Sequence, residues 1–262
     1  MISVASYNVL AEAYAEPARY PHVPGDLLRA SQRMPRVVDR IGALGSDVVC
    51  LQEVEPALFQ AMTGALGDGW RGEFVRKGSG RPDGCATFAR AERVAFCRSQ
   101  RLEYDDGAPG HEPSGHVALL VGLEHEGRAF AVANTHLRWD PPRTAPEARQ
   151  ALRQVRALLA ARATWGVDPE AWIVCGDMNV SADDDAMLLM FAAGLRDAHV
   201  GSSGATAVAN HRARRIDFVL HGTAFEVDAI DLPTLDPKVP LPNATEPSDH
   251  VPVSVRVRWL RA

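Results

Sequence analysis

The chain has 262 residues, 46% of them hydrophobic, enough for one large domain with a substantial core. A net charge of −5 argues against a protein that coats duplex nucleic acid by charge alone, because phosphate neutralisation drives such binding. The four cysteines (Cys50, Cys85, Cys97 and Cys175) form no CxxC pair and give no sign of a disulfide framework or a zinc site, which favours a reducing compartment.

Residues 2–8 read directly as a strand ending in Tyr7-Asn8, without the basic start and apolar core of a signal peptide. No apolar stretch is long enough to cross a bilayer, so the expectation is a soluble, cytoplasmic protein. Residues 10–30 read as an exposed loop. A helix follows over 32–44, with Val37, Val38, Ile41 and Leu44 at helical spacing and Pro35 in its first turn. The apolar run at 47–52 is a strand that delivers Gln52-Glu53, and Pro56 opens a helix over 56–66.

Short strands are expected over 72–76, 84–90 and 93–98, then a loop over 105–115. Strands at 116–124 and 128–135 come next, the second running into Asn134-Thr135-His136. Residues 145–163 form a helix with Leu152, Val155 and Leu159 on one face; Arg149, Arg153 and Arg156 read as its solvated side rather than as a nucleic-acid track. The strand at 171–176 carries Gly176-Asp177-Met178-Asn179 at its end. Asp183, Asp184 and Asp185 open a helix over 183–193, as acidic residues do at a helix N-terminus, and are not read as a metal cluster.

Residues 199–211 read as a loop, and strands at 215–221 and 225–231 follow, the first carrying Arg215-Ile216-Asp217. Five prolines make 231–249 a long rigid loop into Ser248-Asp249-His250 and the last strand, 250–258. Many short strands and about four helices suggest an α/β protein of two packed sheets flanked by helices. No repeat or linker divides the chain, so 1–262 reads as a single domain.

The polar segments lie at the ends of apolar runs, where rigid strands can support a site. Four carboxylates recur there: Glu53, Asp177, Asp217 and Asp249. If they converge they cannot all stay charged without a cation. Such oxygen donors suit magnesium, with manganese as a substitute, and Glu53 is the first choice as a direct ligand. Asn179 is placed to fix an attacking water or a phosphate oxygen, and Asp177, two residues earlier, to accept the water's proton. His136 and His250 can donate to phosphate oxygens, with Asp217 the natural partner of His250. Taken singly, Asn8 reads as a strand-ending residue bonding its own backbone, Glu53 as a surface ion pair, and either histidine as a core histidine. Their joint occurrence argues against that reading.

The set of residues resembles the endonuclease/exonuclease/phosphatase superfamily, which includes DNase I, apurinic endonucleases, sphingomyelinases and inositol polyphosphate 5-phosphatases. The likeness runs from Ser6 to Val253. It implies a four-layer α-β-β-α sandwich of two mostly antiparallel sheets, DNase I-like, and magnesium-dependent hydrolysis of phosphate esters. It further implies a metal held by Glu53, Asn8 and Asp249, a nucleophile handled by Asp177 and Asn179, and a working pair of Asp217 and His250, with His136 completing the site. Asn8, Asn134, Arg215 and Pro141 are expected to touch substrate.

Tyr7-Asn8-Val9-Leu10-Ala11 with Tyr14-Ala15, the segment Asp83 to Phe88, and the run from Val132 to Pro141 are similar to the deadenylase branch, with nocturnin, Angel and the 2′-phosphodiesterase. Leu10 stands where apurinic endonucleases carry an acidic residue. The base-stacking aromatic of eukaryotic deadenylases has no counterpart in 210–215 except His211, whereas Pro141 matches a proline that packs on the base. No leucine-rich adaptor region is present, so no docking partner of that kind is implied. The resemblance thus implies a phosphodiesterase acting on RNA 3′ ends or oligonucleotides. The alternatives are a phosphatase or a cyclic-phosphate or small phosphate-ester hydrolase, and an inactive binding scaffold. The polar loops at 105–115 and 199–211 speak against a lipid substrate and a membrane.

Overall fold

A computed structural model describes residues 1–107, 112–141, 143–209 and 212–260. In chain order the first strands are β1 (Ile2–Asn8), β2 (Val48–Val54), β3 (Trp70–Arg76), β4 (Gly84–Arg90) and β5 (Ala95–Glu103). Then come β6 (Val117–His125), β7 (Arg128–His136), β8 (Trp172–Asp177) and β9 (Arg196–Asp197). The last are β10 (Ala207–Ala209), β11 (Arg212–Arg214), β12 (Asp217–His221), β13 (Phe225–Ala229) and β14 (Val253–Trp259). The helices are α1 (Gly25–Leu28), α2 (Ala30–Gly42), α3 (Pro56–Leu66), α4 (Gln150–Thr164) and α5 (Asp185–Ala192).

Two six-stranded sheets form, in the orders β13-β14-β1-β2-β4-β3 and β5-β6-β7-β8-β12-β9. Among the described residues, β1 with β2 and β7 with β8 run parallel and the other strand pairings are antiparallel. Strand alternation explains the layering. Val48 and Cys50 of β2, with Ile173 and Cys175 of β8, fill the space between the sheets. Their neighbours Val49 and Leu51 pack outward with Val37 and Ile41 of α2 and Met62 of α3. Trp172 and Val174 likewise pack with Val155 of α4 and Met190 of α5. Both faces of the central strands are therefore buried, which is why their sequences are continuously apolar. The result is the α-β-β-α sandwich of a DNase I-like fold.

Several boundaries differ from expectation. Residues 10–30 are tied down by a 3-10 turn, Glu12–Tyr14, and by α1, whose Leu28 is buried. Because α2 begins at Ala30, Pro35 lies inside it and not in its first turn. α4 starts later than its apolar pattern suggests, after a separate 3-10 turn at Pro146–Ala148. Within 199–211 the chain forms β10, which pairs with β11 as a small hairpin; its two ends are short Ala/Val and Arg/Ala runs with no strand signal. At α5 the side chain of Asp184 caps the helix, accepting from Ala186 N at 2.9 Å.

Register, more than any single element, builds the site. The parallel pairs bring the ends of β1, β2, β7 and β8 to one edge, with Asn8 opposite Gln52 and His136 opposite Asp177. β12 is antiparallel to β8, so it begins where β8 ends and sets Asp217 opposite Asp177. Val253 pairs with Ser6, so His250 enters the same edge just before β14.

Candidate active site

At that edge Asn8 sits between two carboxylates. Its Oδ1 accepts from Leu10 N at 3.0 Å, which turns Nδ2 toward Asp177 Oδ2 at 3.0 Å and Glu53 Oε1 at 3.2 Å. Glu53 is also fixed through Oε2 by Ala11 N at 2.9 Å. Its backbone takes a left-handed φ of 59° at a bulge where β2 slips past β4 between Gln52 and Val54. Such a bulge re-aims a side chain, here out of the alternating strand pattern and into the cleft. Strain of this kind concentrates at functional sites.

Asp177 is held by the turn that follows it. Its Oδ1 accepts from Asn179 N at 2.9 Å, and Asn179, with φ 56°, donates through Nδ2 to Leu137 O at 2.9 Å. Only glycine fits before it: a Cβ on Gly176 would lie 1.7 Å from Thr135 O. The close approach of β7 and β8 therefore explains the glycine in Gly176-Asp177. His250 Nδ1 donates to Asp217 Oδ2 at 2.8 Å. His250 Nε2 and His136 Nε2 lie 3.7 and 3.6 Å from Asp177 Oδ2.

The electrostatics follow from burial. Desolvation pushes the Asp177 carboxyl up to about 7, opposed by His250 and reinforced by Asp217. Glu53 is raised too, first by burial and further by the charge of Asp249, with Lys77 acting against it. Burial would lower His250, but Asp217 and Asp177 outweigh it and hold the imidazole well above its ordinary range. His136 goes the other way: burial, Lys77, His116 and His250 all hold it neutral.

Asp177, Asp217 and His250 bring ligand-type atoms within 4.8 Å of one another, so the site has an acidic and histidine donor set of the kind that can hold a metal ion. The Nδ1 of His250 and Oδ2 of Asp217 are already spent on each other, however. Burial and the charge of Asp249 both penalise an ionised Glu53, an electrostatic condition that a hard cation relieves.

Asn8, Glu53, His136, Asp177, Asn179, Asp217 and His250 thus come together, and Asp249 stands beside them, its Oδ2 accepting from Tyr20 OH at 3.0 Å. Other expectations are corrected. Asn134 does not face substrate: buried between the sheets, it donates to Leu51 O at 3.1 Å and Ala86 O at 2.8 Å and accepts from Gln52 Nε2 at 2.8 Å. It joins the two sheets because an amide can satisfy several buried backbone groups at once. Asn8 turns its NH2 toward the carboxylates while its Oδ1 accepts from Leu10 N, so here it orients Glu53 and Asp177. Arg215, which could equally hold a substrate phosphate or brace the fold, pairs with Asp197 at 2.7 Å and lies over the Phe218 ring, bracing β9 against β12. Pro141 is exposed in the loop after β7, as is Trp139 two residues before it. His211 lies outside the described residues.

Several further residues, which no sequence motif marks individually, position these groups. Lys77 Nζ donates to Asp83 Oδ2 at 2.6 Å and faces His136 Nδ1 at 3.2 Å. The His116 ring meets that of His136 edge-on. Ser248 Oγ donates to Asn8 O at 2.7 Å, Arg33 bridges Val9 O at 2.8 Å and Pro247 O at 3.4 Å, and Tyr7 OH donates to Glu246, so the proline-rich segment is tied to the end of β1. The one sequence signal for Lys77 was its rarity, since the chain has only two lysines.

Residues 5–250 match the Endonuclease/Exonuclease/phosphatase family. Among curated proteins, the CCR4-Not complex 3′-5′-exoribonuclease subunit Ccr4 of Candida albicans is 28% identical over 77% of this chain. The chain spans only 30% of that protein's length. Among solved structures, the 2′,3′-cyclic phosphatase ANGEL2, in complex with adenosine-2′,3′-vanadate, superposes with a TM-score of 0.84 at 20% identity, covering 98% of this chain and 95% of that one. The human Nocturnin catalytic domain, with a bound sulfate anion, gives a TM-score of 0.74 at 26% identity, covering 99% and 93%.

Proposed function

Because the chain belongs to the Endonuclease/Exonuclease/phosphatase family, we propose that it is a metal-dependent phosphoesterase that hydrolyses phosphodiester bonds at the 3′ ends of RNA or short oligonucleotides. The observation that carries this reading is the convergence on Asp177 Oδ2 of three nitrogens: Asn8 Nδ2 at 3.0 Å, His136 Nε2 at 3.6 Å and His250 Nε2 at 3.7 Å. A carboxylate faced by three such nitrogens can take a proton from water while the same groups donate to a phosphoryl oxygen.

Asp177, raised to about 7 by burial, is matched to accept a proton from water at neutral pH. Asn179 anchors its Nδ2 on Leu137 O, which leaves Oδ1 to orient the same water for in-line attack. The His250 imidazolium, charged because Asp217 and Asp177 face it, donates Nε2–H to a non-bridging oxygen as negative charge grows there. His136 adds a second, neutral donor. Glu53 and Asp249 would hold the cation, magnesium by the hardness of their oxygens, with manganese as a substitute. That ion would supply positive charge to the phosphate oxygens and leaving group.

RNA as the substrate is supported by the name of the Candida albicans relative, and Pro141 offers an exposed ring to a terminal base. A second reading, hydrolysis of terminal 2′,3′-cyclic phosphates, rests on the hairpin ahead of Asp217. The described residues of β10 and β11 are alanine, valine and arginine, with no aromatic. Stacking contributes about 1–3 kcal/mol per base, so described strands without an aromatic give a weaker grip on an adenine run and favour short ends, in keeping with the activity named for ANGEL2. The shared core of the two sheets supports one domain over 1–262. Free cysteines accord with a cytoplasmic location, and no helix among the described residues is long and apolar enough to cross a membrane.

The deciding experiment is turnover of 5′-labelled oligoadenylate, an oligonucleotide ending in a 2′,3′-cyclic phosphate, and a panel of small phosphate monoesters, each with magnesium and with manganese. Stepwise shortening of the oligoadenylate is the expected outcome. Cleavage of the cyclic end alone would select the second reading, and turnover of none would sink both.

A further inference from the structure

The ammonium of Lys77 is buried behind the cleft, its side chain only 2% exposed. It is clamped from one side by Asp83, whose Oδ2 lies 2.6 Å away and whose Oδ1 accepts from Tyr14 OH at 2.9 Å. The backbone closes the same turn, with Lys77 N donating to Asp83 O at 2.8 Å. On its other side Nζ stands 3.2 Å from Nδ1 of His136. An ammonium has donors and no acceptor, so across this contact Nδ1 must be the acceptor. A neutral imidazole that accepts at Nδ1 carries its single proton on Nε2.

We propose that Lys77, anchored by Asp83, is a positioning residue that locks His136 in the neutral tautomer protonated on Nε2, with that N–H aimed into the cleft beside Asp177. The His116 ring, edge-on to His136 with centroids 5.7 Å apart, keeps the imidazole from turning away. The arrangement divides the labour of the two histidines. His250, gripped at Nδ1 by Asp217, is the charged donor; His136, gripped at Nδ1 by a cation, is a neutral one. With its lone pair turned toward Lys77, His136 has no basic nitrogen facing the cleft, so proton acceptance from water falls to Asp177. The consequence for catalysis rests on the phosphoesterase reading; the tautomer itself does not.

The test combines ring-nitrogen NMR of 15N-histidine-labelled protein with steady-state kinetics. In the wild-type protein His136 is expected to show a protonated Nε2 and an unprotonated Nδ1, whatever the substrate proves to be. Two double variants, Lys77→Gln with Asp83→Asn and Lys77→Met with Asp83→Asn, both remove the buried charge pair. Only the first keeps a donor for Nδ1. The glutamine variant is expected to retain the Nε2–H tautomer and a kcat within about tenfold of wild type. The methionine variant is expected to lose that tautomer, and kcat should fall by about 10²–10³-fold, the effect of removing one preorganised donor. A wild-type proton on Nδ1, an unchanged tautomer in the methionine variant, or equal kcat in the two variants would each overturn the proposal. Failure of the phosphoesterase reading would appear differently, as no turnover by wild type, and would leave the NMR result standing.

Discussion

Asp217 and His250, separated by 33 residues in sequence, share a hydrogen bond of 2.8 Å from Nδ1 to Oδ2. The bond fixes which face of the imidazole meets the cleft and keeps it charged. Neutralising Asp217 by Asp217→Asn removes the counter-charge while preserving size. The expected result is a kcat lower by about 10²–10⁴-fold, the range for a disabled proton-transfer or donor group, with little change in KM. A kcat within threefold of wild type in steady-state assays would mean the pair has no catalytic part.

Asp177 trades stability for function. Its folded carboxyl sits near 7 because burial penalises the charge, against 3.8 for the ordinary group. The folded state then binds more protons than the unfolded state between those values, so stability falls as pH rises through that window. Asp177→Asn removes the penalty. Without metal it should be as stable as wild type near pH 4 and more stable at pH 8, while turnover is lost. Thermal unfolding at the two pH values checks the sign; a variant less stable at pH 8 than wild type would contradict it.

Glu53, aimed by its bulge and crowded by Asp249, should be the residue through which a divalent ion stabilises the fold. At an ion concentration 100 times the dissociation constant, linkage gives about 2.7 kcal/mol. Wild-type protein should therefore melt higher with magnesium than with chelator, and Glu53→Gln should lose most of that difference. A variant with the full magnesium response would remove Glu53 from the ligand set.

Asn134, expected to touch substrate, instead spans the two sheets. Asn134→Ala should remove its buried hydrogen bonds to Leu51 O and Ala86 O and from Gln52 Nε2, at about 0.5–1.5 kcal/mol each. Chemical denaturation should show a large loss of stability, while the folded fraction keeps its KM. A raised KM with unchanged stability would restore the substrate role.

The strands and their order of polar endings were legible because central strands buried on both faces leave uninterrupted apolar runs such as Val48–Leu51, with an out-of-place Glu53 or Asp177 at the end. The pairing of Asp217 with His250 could be expected on chemical grounds, since a buried charged histidine needs a carboxylate. The small hairpin of β10 and β11 escaped notice because strands this short carry no periodicity.

Residue type and motif position determined that this chain makes two sheets with acids, amides and histidines at strand ends. Which way each side chain points was decided only by the folded backbone. Asn8 and Asn134 both reach across to the facing sheet, yet Asn8, the last residue of β1, meets the carboxylates of the cleft, whereas Asn134, two residues before the end of β7, meets the backbone of β2 and β4. Lys77 joins His136 across 59 residues, a contact that no local pattern encodes. Sequence spacing determines what a strand can present; register and sheet packing determine what it meets.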